Sequence, residues 1–193
     1  MTKEARFPEL EFEIDTEQIL LHSRNVLLHG EVSAQSSKEI CEKLLVLDYV
    51  EKNPIGLWVN CTGGSIGCGF SIIDTIMGLK SPVYTFICGY SSSMGSLIAL
   101  AGDRRMMTEN SIWMFHDLTA FINNGEEYGD KLIARCEDYY KLLQLRIEKY
   151  LKKRTRLTER DLHKARTKEL WLFPEECKRK GIVDVVAKRR IKR

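Results

Sequence analysis

From residue 26 onward, short apolar runs alternate with longer stretches whose apolar positions recur every three or four residues. This is the pattern of βα units laid on a parallel sheet. Val26-Leu27-Leu28 opens a first strand. Ser36 and Ser37 are N-cap candidates for a helix striped by Ile40, Leu44, Leu45, Leu47 and Val50. Ile55 to Val59 reads as a second strand that ends at Asn60-Cys61-Thr62-Gly63-Gly64-Ser65, and a helix is expected over Ile66 to Leu79. The third strand, Val83 to Cys88, ends in Gly89-Tyr90-Ser91-Ser92-Ser93-Met94-Gly95, before an apolar helix over Leu97 to Ala101. Two β-rich stretches follow, Arg105 to Thr108 and Ile112 to Phe115.

After Asn123-Asn124-Gly125, a long amphipathic segment carries Leu132, Cys136, Tyr139, Leu143, Ile147 and Tyr150 at helical spacing. It is expected to form one helix over about residues 126 to 152, against a mean helix of about 12 residues. A helix of that length usually packs on another subunit or domain. Thr158 to Lys168 reads as a further helix, Pro174-Glu175-Glu176 starts a short one, and Gly181 ends it before a last strand, Ile182 to Val186. The expected class is α/β. No linker, repeat or low-complexity stretch divides the 193 residues, so a single domain over 1 to 193 is expected.

Composition narrows the function without naming it. The chain is 44% hydrophobic and 30% charged, close to globular averages. The net charge of +3 is more than supplied by Lys188, Arg189, Arg190, Lys192 and Arg193, so the body is nearly neutral. This tail reads as a solvated terminus, and nucleic acid is not an expected partner. Cysteines stand at 41, 61, 68, 88, 136 and 177 with no C-x-x-C pair and no zinc spacing, so neither a metal site nor any other cofactor is expected. Several lie in apolar runs, as Cys88 does, and read as small buried hydrophobes of a reducing compartment, hence a cytoplasmic protein. The first residues lack the apolar core of a signal peptide, and no segment nears the roughly 18 apolar residues of a membrane span.

The two glycine turns fall at the C-terminal ends of successive strands, where open α/β sheets build their sites and helix N-termini present N–H groups. A serine there is a candidate acyl-transfer nucleophile if a base is in reach. Ser93 meets the first condition, although Ser91 stands where the nucleophile elbow G-x-S-x-G has glycine. His116 follows the strand Ile112 to Phe115, which would deliver it to the same sheet edge as Ser93. His22 and His29 lie in the first strand region and His163 in a charged helix, positions more often structural or solvated than catalytic.

Several stretches, in order and spacing, resemble the Clp protease proteolytic subunits, the ClpP-like serine peptidases. They are Leu28-His29-Gly30-Glu31-Val32, Asn60 to Ser65, Ser92-Ser93-Met94-Gly95-Ser96, Phe115-His116, and Glu175-Glu176 through Gly181-Ile182-Val183-Asp184. The resemblance runs from about residue 20 to near the end. It implies a ClpP/crotonase-like spiral of βα units, with the long helix as the handle through which two heptameric rings stack. It implies Ser93 as nucleophile, His116 as general base, and the N–H groups of Gly63 and Met94 as the oxyanion hole. It further implies an ATP-dependent endopeptidase acting on peptides or unfolded proteins inside a homo-oligomeric chamber, fed by a hexameric AAA+ unfoldase.

Two departures accompany it. Aligned without gaps, the C-terminal segment puts Ala165 where the triad aspartate usually stands, and an alanine cannot orient His116. Glu169 is the favoured replacement, with Asp117 and Asp161 as alternatives. In the strand before the Gly-Gly turn, where the family carries aromatic residues for the unfoldase, this chain has Gly56 and Trp58. The competing readings are a weak or inactive ring subunit and, from another class, an acyl-CoA hydratase or isomerase. The latter predicts a carboxylate near the second turn, where Ser92-Ser93-Met94 stands instead.

Overall fold

Seven strands and seven helices alternate through residues 15–117 and 130–188, the residues described by the computed structural model. A short helix α1 (Thr16–His22) precedes β1 (Asn25–Val32), α2 (Ala34–Val50), β2 (Ile55–Gly64), α3 (Ile66–Gly78) and β3 (Val83–Ser92). Then come α4 (Met94–Ala99), β4 (Arg104–Thr108), β5 (Ile112–Phe115), α5 (Asp130–Arg154), α6 (Glu159–Thr167), β6 (Leu170–Leu172), α7 (Pro174–Arg179) and β7 (Val185–Ala187). The expected N-terminal segment up to residue 14, residues 126 to 129 of the long helix, and the basic tail from 189 lie outside the described residues.

Strand order is β1-β2-β3-β4-β7, all parallel. Strand β3 outruns β4 and takes a second neighbour: Tyr84 to Ile87 pair with β4, and Tyr90 to Ser92 pair in parallel with β5. On its far side β5 pairs antiparallel with β6. The branch turns the sheet away from a flat ribbon and sets the end of β5 beside the end of β3.

The apolar patterns define one core. Val26, Leu28, Leu57, Val59, Val83 and Ile87 from the central strands meet Ile40, Leu44 and Leu47 of α2, Ile72 and Ile73 of α3, and all of α4. Each large aliphatic side chain so buried contributes about 1.5–3 kcal/mol.

The elements depart from the sequence pattern at their ends. The α2 cap is Ser33, not Ser36 or Ser37: Ser36 closes a capping box with Ser33, and the buried Ser37 hydroxyl donates to the carbonyl of Cys68. β2 runs through both glycines and β3 through Ser92, because β1 and β5 supply ladder partners there. α4 starts at Met94, not Leu97, and β7 starts at Val185, not Ile182. No helix among the described residues is long and apolar enough to cross a membrane.

Candidate active site

Ser93 sits between β3 and α4 with φ 51° and ψ −121°, a left-handed backbone that a residue with a side chain adopts at a cost of about 1–3 kcal/mol. Neighbouring contacts enforce it. Its N–H donates to the Met114 carbonyl of β5 at 2.9 Å, and its own carbonyl accepts from the Ser96 N–H at 3.1 Å and the Ser96 hydroxyl at 2.6 Å. The result is a sharp strand-to-helix bend that lifts the serine side chain into a cleft of about 320 Å³.

The six-residue helix behind it is buried throughout, and side chains from other elements take its carbonyls. Trp113 donates to Ser96, Tyr150 to Leu97 and Thr85 to Ala99, while Arg154 donates to Leu100 and Gly102 just past the helix end. Met94 is the first residue of this helix, so its N–H has no acceptor within the helix.

Gly63 (φ 103°) packs against Ser93 and Met94, between Thr62 and Gly64, which line the cleft. A Cβ there would lie 2.6 Å from Cβ of Ser93 and 3.1 Å from the Met94 nitrogen, so only glycine permits the approach. Its N–H points at Sγ of buried Cys61 at 3.4 Å, a weak acceptor. Burial pushes the Cys61 thiol above its usual range, which keeps it neutral rather than a rival nucleophile.

His116 leaves the end of β5 half-buried and lines the same cleft as Ser93 and Met94. Ile66, Leu97, Phe115 and Ile147 supply apolar walls. Nδ1 of His116 lies 2.6 Å from the main-chain carbonyl of Asp117. A carbonyl only accepts, so this bond holds the imidazole with the proton on Nδ1 and leaves Nε2 as a proton acceptor.

The carboxylates considered as third members are placed differently. Glu169 is exposed and accepts from the indole N–H of Trp171 at 2.8 Å. Asp161 caps α6 at Thr158 and pairs with Lys180 at 2.7 Å. Burial would push that carboxyl up, but hydrogen bonds from Lys180 and Thr158 outweigh it and hold it below its usual range. Asp117 lines the cleft, and its carboxylate accepts from Gln144 of α5 at 3.3 Å. Ala165 is 1% exposed, and its carbonyl accepts the Asp117 N–H at 3.0 Å.

The sheet face that carries Trp58 is filled by contacts within the chain. Trp58 stacks on Phe86 at 4.6 Å and donates to Oδ1 of Asn25. A Cβ on Gly56 would lie 2.5 Å from that same oxygen, so Asn25 occupies the space a larger residue at 56 would need. Two features of the site escaped the sequence pattern. The three residues of β6 are too few to show a period, and the Asp117 carbonyl belongs to the backbone, which side-chain patterns do not report.

Comparison with known proteins gives one family. A sequence model described as Clp protease matches residues 9–190. ATP-dependent Clp protease proteolytic subunits of Streptococcus pyogenes serotype M5 and of Streptococcus equi subsp. equi are each 31% identical over 170 residues, covering 86% of both chains. A point mutant of ClpP1 from Listeria monocytogenes superposes with a TM-score of 0.79 at 25% identity, covering 90% of this chain and 96% of that one. The βα units on a parallel sheet, the serine at the bend between β3 and α4 and these matches together make the chain a member of the Clp protease family.

Proposed function

We propose that the protein is a serine endopeptidase in which Ser93 is the nucleophile and His116 the general base. The carrying observation is the strained Ser93 at the start of α4, in one cleft with His116. Nε2 of His116 removes the Ser93 hydroxyl proton as Oγ attacks the peptide carbonyl carbon. The Met94 and Gly63 N–H groups bind the resulting oxyanion, the latter by exchanging a weak thiol acceptor for a charged one. The imidazolium then protonates the leaving amine, and water attacks the acyl-enzyme by the same sequence. The apolar walls of the cleft suit a hydrophobic side chain next to the scissile bond.

The assembly belongs to the same reading: a homo-oligomer of two stacked heptameric rings, acting in the cytoplasm on short peptides or on unfolded chains delivered by an AAA+ unfoldase. Support comes from α5, 25 residues long, where Tyr139, Leu142 and Leu145 are all exposed and fit a handle that packs on another ring. The described cysteines are unpaired, as a reducing compartment requires. The Asn25–Trp58 contact fills the surface where the unfoldase groove is expected, so delivery would need an unfoldase matched to that face.

The second reading, a ring subunit without catalysis, is favoured by one observation: position 165 carries a methyl group where a triad carboxylate is expected. Labelling with a fluorophosphonate probe, mapped by mass spectrometry, separates the two. Stoichiometric modification of Ser93 that disappears in Ser93→Ala and His116→Ala supports the peptidase. No modification of an assembled wild-type ring establishes the structural subunit.

A further inference from the structure

We infer that the main-chain carbonyl of Asp117 replaces the triad carboxylate as the group that orients His116, which makes the third member of this site a backbone atom. The inference rests on the assignment of His116 as base. It deepens that assignment by naming what positions the ring.

Three hydrogen bonds form a continuous support. The Ala165 carbonyl, at the C-terminal half of α6, accepts the Asp117 N–H at 3.0 Å. The Asp117 carboxylate accepts from Gln144 on α5 at 3.3 Å. The Asp117 carbonyl accepts from Nδ1 of His116 at 2.6 Å. Asp117, two residues past the end of β5, is thus fixed from two helices, and its carbonyl is presented to the imidazole as a preformed acceptor. Ala165 still contributes at the aspartate's position, through its main chain and at one remove. Glu169 is engaged with Trp171.

This arrangement performs one of the two jobs of a triad carboxylate. It selects the tautomer, because a carbonyl cannot donate and so demands the proton on Nδ1. It does not match the second job, since a neutral dipole stabilises the imidazolium less than a full negative charge does. The site is therefore built correctly and runs slowly, which reconciles intact Ser93 geometry with the missing aspartate. It also makes the site insensitive to Glu169, whose carboxylate is turned to Trp171.

The test has a direct spectroscopic readout on the assembled full-length protein. Ring nitrogen-15 NMR of histidine-labelled protein, with the His116 signals assigned by loss in His116→Gln, reports the neutral tautomer. Protonated Nδ1 and unprotonated Nε2 are expected, whereas protonated Nε2 overturns the inference even if the fold is intact. In parallel, the rate of fluorophosphonate labelling at Ser93 is compared across variants. Glu169→Gln is expected to stay within about threefold of wild type, and Ala165→Asp to gain tenfold or more, part of the roughly 10⁴ that such a carboxylate contributes. A tenfold loss in Glu169→Gln would transfer the function to that carboxylate and overturn the inference. Wild-type protein that holds the Nδ1–H tautomer but does not label would sink the peptidase reading while leaving the orientation of His116 as inferred.

Discussion

Ser93 would relax from φ 51° if nothing held it, and it is held by the Met114 carbonyl on one side and by Ser96 on the other. The strain is independent of the hydroxyl, so it persists in Ser93→Ala and is relieved in Ser93→Gly. Glycine's greater unfolded-state freedom offsets part of the relief, at about 0.4–1 kcal/mol. Ser93→Gly is therefore expected to exceed Ser93→Ala in stability by about 1 kcal/mol, measured by denaturant unfolding with both variants unlabelled by the fluorophosphonate. Equal stabilities would mean that the bend carries no strain. At this scale the sequence showed the side chains but not their supports. Ser93 and His116 stand out as residue types at strand ends, whereas the Asp117 carbonyl and the Cys61 thiol behind Gly63 acquire meaning only from their positions.

Among the elements, α4 matters most to the site, and its start is displaced by three residues from its pattern, Leu97 to Ala101 expected against Met94–Ala99 found. The polar run Ser91-Ser92-Ser93 reads as a turn in isolation. It is drawn into β3 and the start of α4 because β5 offers a ladder partner as far as Ser92. α3 meets α4 where a Cβ on Gly69 would lie 2.2 Å from Cγ of Met94. Gly69→Ala must displace the Met94 side chain, at a typical cost of about 1–3 kcal/mol for overpacking. It is expected to lower Ser93 labelling by tenfold or more while the chain still folds; unchanged labelling would show that Met94 adapts without moving its N–H. The long helix tells the opposite story. Its period was legible over 126 to 152, its described part runs Asp130–Arg154, and its apolar residues at 139, 142 and 145 remain exposed on the single chain. On the proposed double-ring assembly, Leu142→Asp with Leu145→Asp is expected to shift the sedimentation profile from stacked to single rings. An unaltered profile would place the ring contact elsewhere.

Across the whole molecule, a few carboxylates tie elements together and set its response to acid. Asp184 accepts from the Arg105 backbone and guanidinium, joining β4 to the approach to β7. Burial pushes its carboxyl up, but the Arg105 hydrogen bonds and charge outweigh that and hold it below its usual range. Asp48 of α2 accepts the backbone N–H groups of Lys80 and Ser81. Against an upward push from desolvation, Ser81 and Lys52 bring Asp48 down from 3.8 to about 2. Both carboxyls bind protons more weakly in the folded than in the unfolded chain, so stability rises with pH through this range. The contribution is complete above the unfolded value near 4 and is lost as pH falls to about 2 for Asp48. Melting temperature is expected to fall steeply from pH 5 to pH 2, and Asp48→Asn with Asp184→Asn to lower it at pH 7 while flattening the acid decline. An acid limb as steep as wild type would assign it to other groups.

Apart from α1 and β6, the order of strands and helices follows from the sequence itself, as do the two glycine-bearing segments and the placing of Ser93 and His116 at strand ends. Period and residue type are local properties, and parallel βα units leave few ways to connect them. Tertiary structure decided how far β3 extends, where α4 begins, that Asn25 fills the place beside Gly56, and that Glu169 turns to Trp171 while the Asp117 carbonyl faces His116. The first three depend on partners distant in the chain, the Asp117 carbonyl is held in place by the distant Ala165 and Gln144, and three of the five involve backbone geometry that no side-chain pattern encodes.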